Sequence, residues 1–223
     1  MGTDIHGVIQ LRDCEGKWNT IAEGYSERNY NAFAILADVR NGRGFAGIET
    51  GTGFNIIAEA RGLPEDFEVT GEYGSSHPLP DSFAWQPNSS RAPYAEYPDE
   101  NGTYWMGDHT WSWVSAHELL SFDWDQVTTR YGVVDEPTAK SWIQYAMKYN
   151  WRPKDWSGAI AGPGIQTISM EDYIAGKIPD CPRLRVRIHW EETYATAVGG
   201  EFLAFVLRMG RMGPTRYVFG FDS

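Results

Sequence analysis

Hydrophobic and polar positions alternate near both ends of the chain. From Asp4 to Arg12, Ile5, Ile9 and Leu11 fall on one side and Asp4 and His6 on the other. This is the period-two pattern of a half-buried strand. Asp13-Cys14-Glu15-Gly16 reads as a hairpin turn into a second strand, Lys17–Ala22. In Arg183–His189, Leu184, Val186 and Ile188 alternate with Arg183, Arg185, Arg187 and His189. A last strand covers Arg216–Asp222.

Between these ends the period lengthens to that of helices. Residues 28–40 predict a short buried helix, N-capped by Asn29 or Asn31, that runs into the glycine-rich loop 41–47. Ser115-Ala116-His117-Glu118 is a capping box for a helix to about Phe122. A helix over Glu136–Tyr149 places Ala139, Trp142, Ile143, Ala146 and Met147 on one face. Ser169 starts a short helix through Ala175. A long helix is expected from Trp190 to about Met209, weakened at Gly199-Gly200. Residues 51–107 carry six prolines and no periodicity, the character of a loop-rich, lid-like insertion. The expectation is one α+β domain over residues 1–223. Its mainly antiparallel sheet would be built from both chain ends and packed with several helices.

Composition narrows the function. The 223 residues are 42% hydrophobic and 14% aromatic, enough for a sizeable core and for aromatic faces left over to stack on planar ligands. A net charge of −11 argues against general duplex binding, which needs a basic surface. It leaves room for a small anion in a local basic pocket. No leader or membrane-spanning apolar run is read, so the chain is expected in the cytoplasm, with Cys14 and Cys181 reduced.

Three clusters hold candidate chemistry. Asp4 and His6 share a strand face and suit a metal, or a base and its orienter; a merely hydrogen-bonded strand end is the plainer alternative. Arg28, Asn29, Arg40, Asn41 and Arg43 combine guanidinium groups with a glycine loop, which suits phosphate or carboxylate. The same residues could instead cap a helix and pair with surface acids. Asp108-His109-Thr110-Trp111-Ser112-Trp113 precedes the capping box, and His109 is its candidate acid or base. The Arg183, Arg185 and Arg187 stripe reads as a solvated sheet face more than as an anion pocket.

Several stretches together carry a resemblance: Met1–His6, Arg28–Tyr30, Leu36–Gly42, Ala60-Arg61-Gly62-Leu63-Pro64, His109–Val114 and Val218–Asp222. The chain resembles a group of uncharacterised phage and prophage proteins that open Met-Gly-Cys-Asp-Ile-His and carry a Gly-His-Ser-His-Ser-Trp-Leu segment. Thr3 stands where that group has Cys, and Trp111 where its second His would fall. The resemblance supplies positions rather than a reaction, and implies a role in countering host defence.

The expected site therefore has Asp4, His6 and His109 as catalytic groups. Arg28, Asn29, Arg40, Asn41, Arg43, Arg61, Trp111 and Ser112 would hold a small phosphorylated or nucleotide-type ligand. If a divalent metal is bound, Asp4, His6 and His109 are its ligands; the cofactor is otherwise open, as is a homo-oligomeric state. The expected reaction is hydrolytic cleavage of a phosphodiester in a nucleotide immune signal. Sequestering such a signal intact is the alternative, and an acidic protein inhibitor or structural protein a further one. No partner membrane or duplex nucleic acid is expected.

Overall fold

The computed structural model describes residues 2–67 and 106–222. They divide into two units, one drawn from Met1–Val39, Asn55–Asp123 and Val198–Ser223, the other from Arg40–Phe54 and Trp124–Ala197. Together they are α+β, with helices and two mostly antiparallel sheets. Of the expected lid-like insertion, residues 51–67 and 106–107 contain no helix or strand, and residues 68–105 lie outside the described part.

In the first unit, β1 (Asp4–Arg12) and β2 (Trp18–Glu23) form the expected hairpin. Its turn is held by Asp13, whose Oδ1 accepts from the backbone N–H of Glu15 (3.0 Å) and Lys17 (2.9 Å). β7 (Thr215–Asp222) pairs antiparallel with β1 from Asp4↔Asp222 to Leu11↔Thr215, so the two ends of the sequence do build one sheet. A strand not read from sequence, β3 (His109–Ser115), pairs with the other edge of β7 and gives the order β2-β1-β7-β3.

Both faces of this sheet are covered. On one, Ile5, Ile9, Tyr217, Phe219 and Phe221 are buried. The helix α1 (Tyr30–Ala37) packs here, with Phe33 edge-on to Phe221 at 5.1 Å. Asn29 is its N-cap, accepting from Ala32 N–H at 3.2 Å, and Asp38 closes it in the left-handed region at φ 60°. On the other face Val8 and Val218 pack with Phe67, Met106, Leu63, Trp111 and Trp113. Each such large apolar side chain contributes about 1.5–3 kcal/mol by leaving water. α2 (Ala116–Ser121) starts at the expected capping box, with Ser115 and Glu118 bonding each other's backbone.

In the second unit, β4 (Val127–Asp135) is antiparallel to β6 (Arg183–Thr193), and β5 (Ile165–Ser169) is parallel to it. The core gathers Val134, Ala139, Trp142, Met170, Val186, Ile188 and Trp190. The helix expected over 136–149 is α3 (Glu136–Ser141), a π-helical turn Trp142–Ala146 and a 3₁₀ turn Met147–Tyr149. α4 (Met170–Ile174) is capped by Ser169 as expected.

The long helix corrects one expectation. α5 spans Tyr194–Arg211, and the four residues before it continue β6. The alternation of Leu184, Val186 and Ile188 carries on through the fully buried Trp190, so burial on one sheet face overrides helical spacing there. Gly199 interrupts α5 at φ 77°, a left-handed conformation that glycine adopts without a Cβ penalty.

Candidate functional site

His6 and Asp222 meet on neighbouring strands. Because Asp4 opposes Asp222 and His6 opposes Gly220, these four residues occupy one row of side chains. His6 Nε2 lies 3.3 Å from Asp222 Oδ2, and the Asp222 Oδ1 accepts the Asp4 backbone N–H at 2.9 Å. The carboxylate is thus fixed by the strand start and holds the imidazole. The two side chains are 29% and 27% exposed, open enough to meet a small molecule.

Arg28, just before α1, grips the Asp4 carboxylate with two nitrogens, Nε at 2.7 Å and Nη2 at 2.5 Å. That bidentate pair holds the Asp4 carboxyl below the ordinary carboxylate range, with a smaller contribution from nearby His6. Nη1 of Arg28 is not used in the pair.

Trp111 joins the same row from β3. A Cβ at Gly220 would fall 2.5 Å from Trp111 Cδ1 and 2.0 Å from Met106 O, so the indole lies over the space that glycine leaves. His6 and Trp111 therefore flank Gly220. Trp111 Nε1 is buried with no hydrogen-bond partner among the described residues.

His109 belongs to the other row. It opposes Phe221, and the two rings are nearly parallel, with centroids 6.0 Å apart and an angle of 23°. Ile5 opposes Phe221 as well, so His109 shares the Ile5 row while His6 alternates away from it. Its Nδ1 is 2.9 Å from Thr110 Oγ1 and its Nε2 is 4.0 Å from Asp108 Oδ1. The expected convergence of Asp4, His6 and His109 is not what this register provides. Among the described residues, no group of three His, Cys, Asp or Glu side chains is placed to hold a metal ion.

The remaining ligand-binding candidates have structural partners. Asn29 caps α1 and also donates to Val198 O at 2.7 Å. Arg61 is paired with Glu118, lies 4.6 Å from the Trp113 ring centre, and donates its backbone N–H to Ser112 Oγ at 3.2 Å. In the second unit, Arg40 Nη1 donates to Gly44 O at 3.2 Å. Asn41 bonds both polar groups of the Phe54 backbone, at 2.7 and 2.8 Å. Arg43 is exposed in the turn that follows. The Arg183 and Arg187 side chains are exposed, as a solvated stripe predicts.

Asp222 is the site residue that sequence reading missed. Comparison of the chain with protein-family models, curated proteins and solved structures yields no match. Among the described residues no helix is long and apolar enough to cross a membrane.

Proposed function

We propose that the first unit carries a small-ligand site centred on His6 and Asp222, and that it hydrolyses a phosphodiester in a nucleotide-type molecule. The observation that carries this reading is the 3.3 Å contact between His6 Nε2 and an Asp222 carboxylate that is itself anchored by Asp4 N–H. A carboxylate on Nε2 favours the tautomer protonated there and leaves Nδ1 as the basic nitrogen. His6 Nδ1 takes a proton from water as the water oxygen bonds to phosphorus. The ester P–O bond breaks, and the imidazolium returns its proton to the departing oxygen. Asp222 stabilises the imidazolium meanwhile. Arg28 offers Nη1 to a phosphate oxygen, and Trp111 supplies the aromatic wall beside His6. The resemblance to phage proteins makes host nucleotide signals the first substrates to test.

Sequestration without cleavage is the second reading. It is favoured by the placement of His109 in the opposite row, which leaves His6 without a second imidazole from the expected pair. One experiment separates the two. The protein is incubated with cyclic and linear nucleotides, and bound and released material is analysed by mass spectrometry. Cleavage predicts new products, with turnover falling about 10²–10⁴-fold in His6→Ala and Asp222→Asn. Sequestration predicts intact ligand on denaturation and weaker binding in the same variants. Neither bound ligand nor product across the panel overturns both.

A further inference from the structure

We infer that the second unit holds a ribonucleotide-binding site of its own, formed by residues 137–156 and Arg185. It is made of residues the reading above does not use and does not depend on that reading. In a chain of net charge −11, residues 137–154 contain Lys140, Lys148, Arg152 and Lys154 and no acid. The same stretch exposes three large aromatic side chains, Tyr145 (62%), Tyr149 (54%) and Trp151 (62%). Basic groups interleaved with aromatic faces form a surface suited to nucleobases and phosphates.

The aromatic platform is rigidly built. Trp142 Nε1 donates to Trp151 O at 2.6 Å. Asn150, in the left-handed region at φ 57°, binds the Glu191 backbone with both ends of its amide, at 2.9 and 3.2 Å. Trp151 stacks on Tyr149 with centroids 4.9 Å apart and 25° between planes, and Lys148 lies 4.4 Å over the Tyr149 ring. The π-helical turn Trp142–Ala146 presents Tyr145 beside them. Such turns concentrate at functional sites.

Two hollows adjoin the platform. One, of about 460 Å³, is bordered by Tyr145, Trp151, Arg152 and Lys154. The other, of about 420 Å³, is bordered by Trp156 and Arg185. Thr138 and Asp155 border both, so one molecule can extend from the first into the second. Arg185 Nε is buried with no hydrogen-bond partner among the described residues; Asp135, its cross-strand neighbour, borders the same hollow and is stabilised as a carboxylate by the Arg185 charge, so the unfilled Nε–H calls for a further acceptor at that end. Asp155, at the junction, repels phosphate but accepts hydroxyl hydrogen bonds. The order base on Trp151 and Tyr145, ribose hydroxyls at Asp155 and Asp135, phosphate on the Nε–H of Arg185 gives the aromatic, carboxylate and guanidinium groups each a partner. A sugar alone leaves the cations unused, and an acidic peptide leaves the planar faces unused.

Calorimetric titration of the full chain with AMP tests this, with adenosine, ribose 5-phosphate, dAMP and a ten-residue deoxythymidine strand as comparisons. AMP is expected to bind at least tenfold more tightly than adenosine, ribose 5-phosphate or dAMP. Trp151→Ala is expected to weaken AMP about tenfold or more, with recovery in Trp151→Phe. Arg185→Gln should bring AMP down to the affinity of adenosine, while Arg187→Gln, at an exposed cation of the same strand that borders neither hollow, leaves AMP binding unchanged. Loss of AMP binding in His6→Ala alone would place the nucleotide in the first unit and overturn the inference. So would absence of AMP binding, AMP affinity unmoved by Trp151→Ala and Arg185→Gln, or binding of the strand without AMP.

Discussion

Replacing Glu118 by Gln should remove a measurable share of stability, and remove it only above a defined pH. Glu118 Oε2 accepts from Ser115 N–H and Oγ, each at 2.8 Å, and both its oxygens face Arg61. The Arg61 hydrogen bond, helped by Ser115, lowers its pKa from 4.5 to about 2 against the opposing effect of burial. At 1.36 kcal/mol per pKa unit, that difference corresponds to about 3.4 kcal/mol. The Glu118 and Arg61 side chains are each 30% exposed, and solvent screening reduces the figure to about 2 kcal/mol. Because the folded-state pKa is the lower one, the contribution is complete above 4.5 and is lost as pH falls toward about 2. Gln keeps the capping-box geometry, so the substitution isolates the charge. Urea denaturation at pH 7 and pH 3 should show wild type and Glu118→Gln well separated at pH 7 and nearer together at pH 3. A constant gap across that range, or one below about 0.5 kcal/mol at pH 7, refutes the reasoning.

In the second unit, Glu192→Gln should cost about 3–5 kcal/mol in urea denaturation. It strips the counter-charge 3.4 Å from the buried Arg130, whose pKa burial already lowers. Adding Arg130→Met to it should recover part of the loss. Gly220→Ala should lower stability by about 1–3 kcal/mol by thermal melting, because its Cβ would fall 2.0 Å from Met106 O. Arg28→Gln should let the Asp4 pKa rise toward 3.8, which a carbon-13 carboxyl titration reads directly; no movement would deny the Arg28 pair its assigned role.

Elements with clean patterns were readable from the sequence because local chemistry determines them. β1 and β7 alternate, Asn29 and Ser169 cap, and Ser115 and Glu118 form their box within four residues. β4 was missed because its buried row includes Thr128 and Arg130, polar residues that break the apolar period. The counter-charge of Arg130 is Glu192, which lies 62 positions later. β3 was hidden by its alternating tryptophan and serine, with Ser112 buried. The site shows the same limit. Asp4 and His6 announce themselves by spacing, but Asp222 is 216 positions from His6. Strand parity could have found it, since pairing the two terminal strands puts one carboxylate beside the other. His109 misled because adjacency to Asp108 says nothing about which sheet face the ring will take.

The pairing of β1 with β7 also sets the order of assembly. Val8 opposes Val218, so the central ladder of the first sheet closes a loop of roughly 210 residues. Its entropic cost is about 5 kcal/mol, most of it due before any strand contact forms. At about 5–20 residues per second, β1 waits some 10–40 s during synthesis before its partner exists. Throughout that interval the β1–β2 hairpin offers an open strand edge carrying Ile5, Val8 and Ile9, an aggregation-prone template. A slow folding phase, with His6 and Asp222 brought together only at its end, follows from this topology.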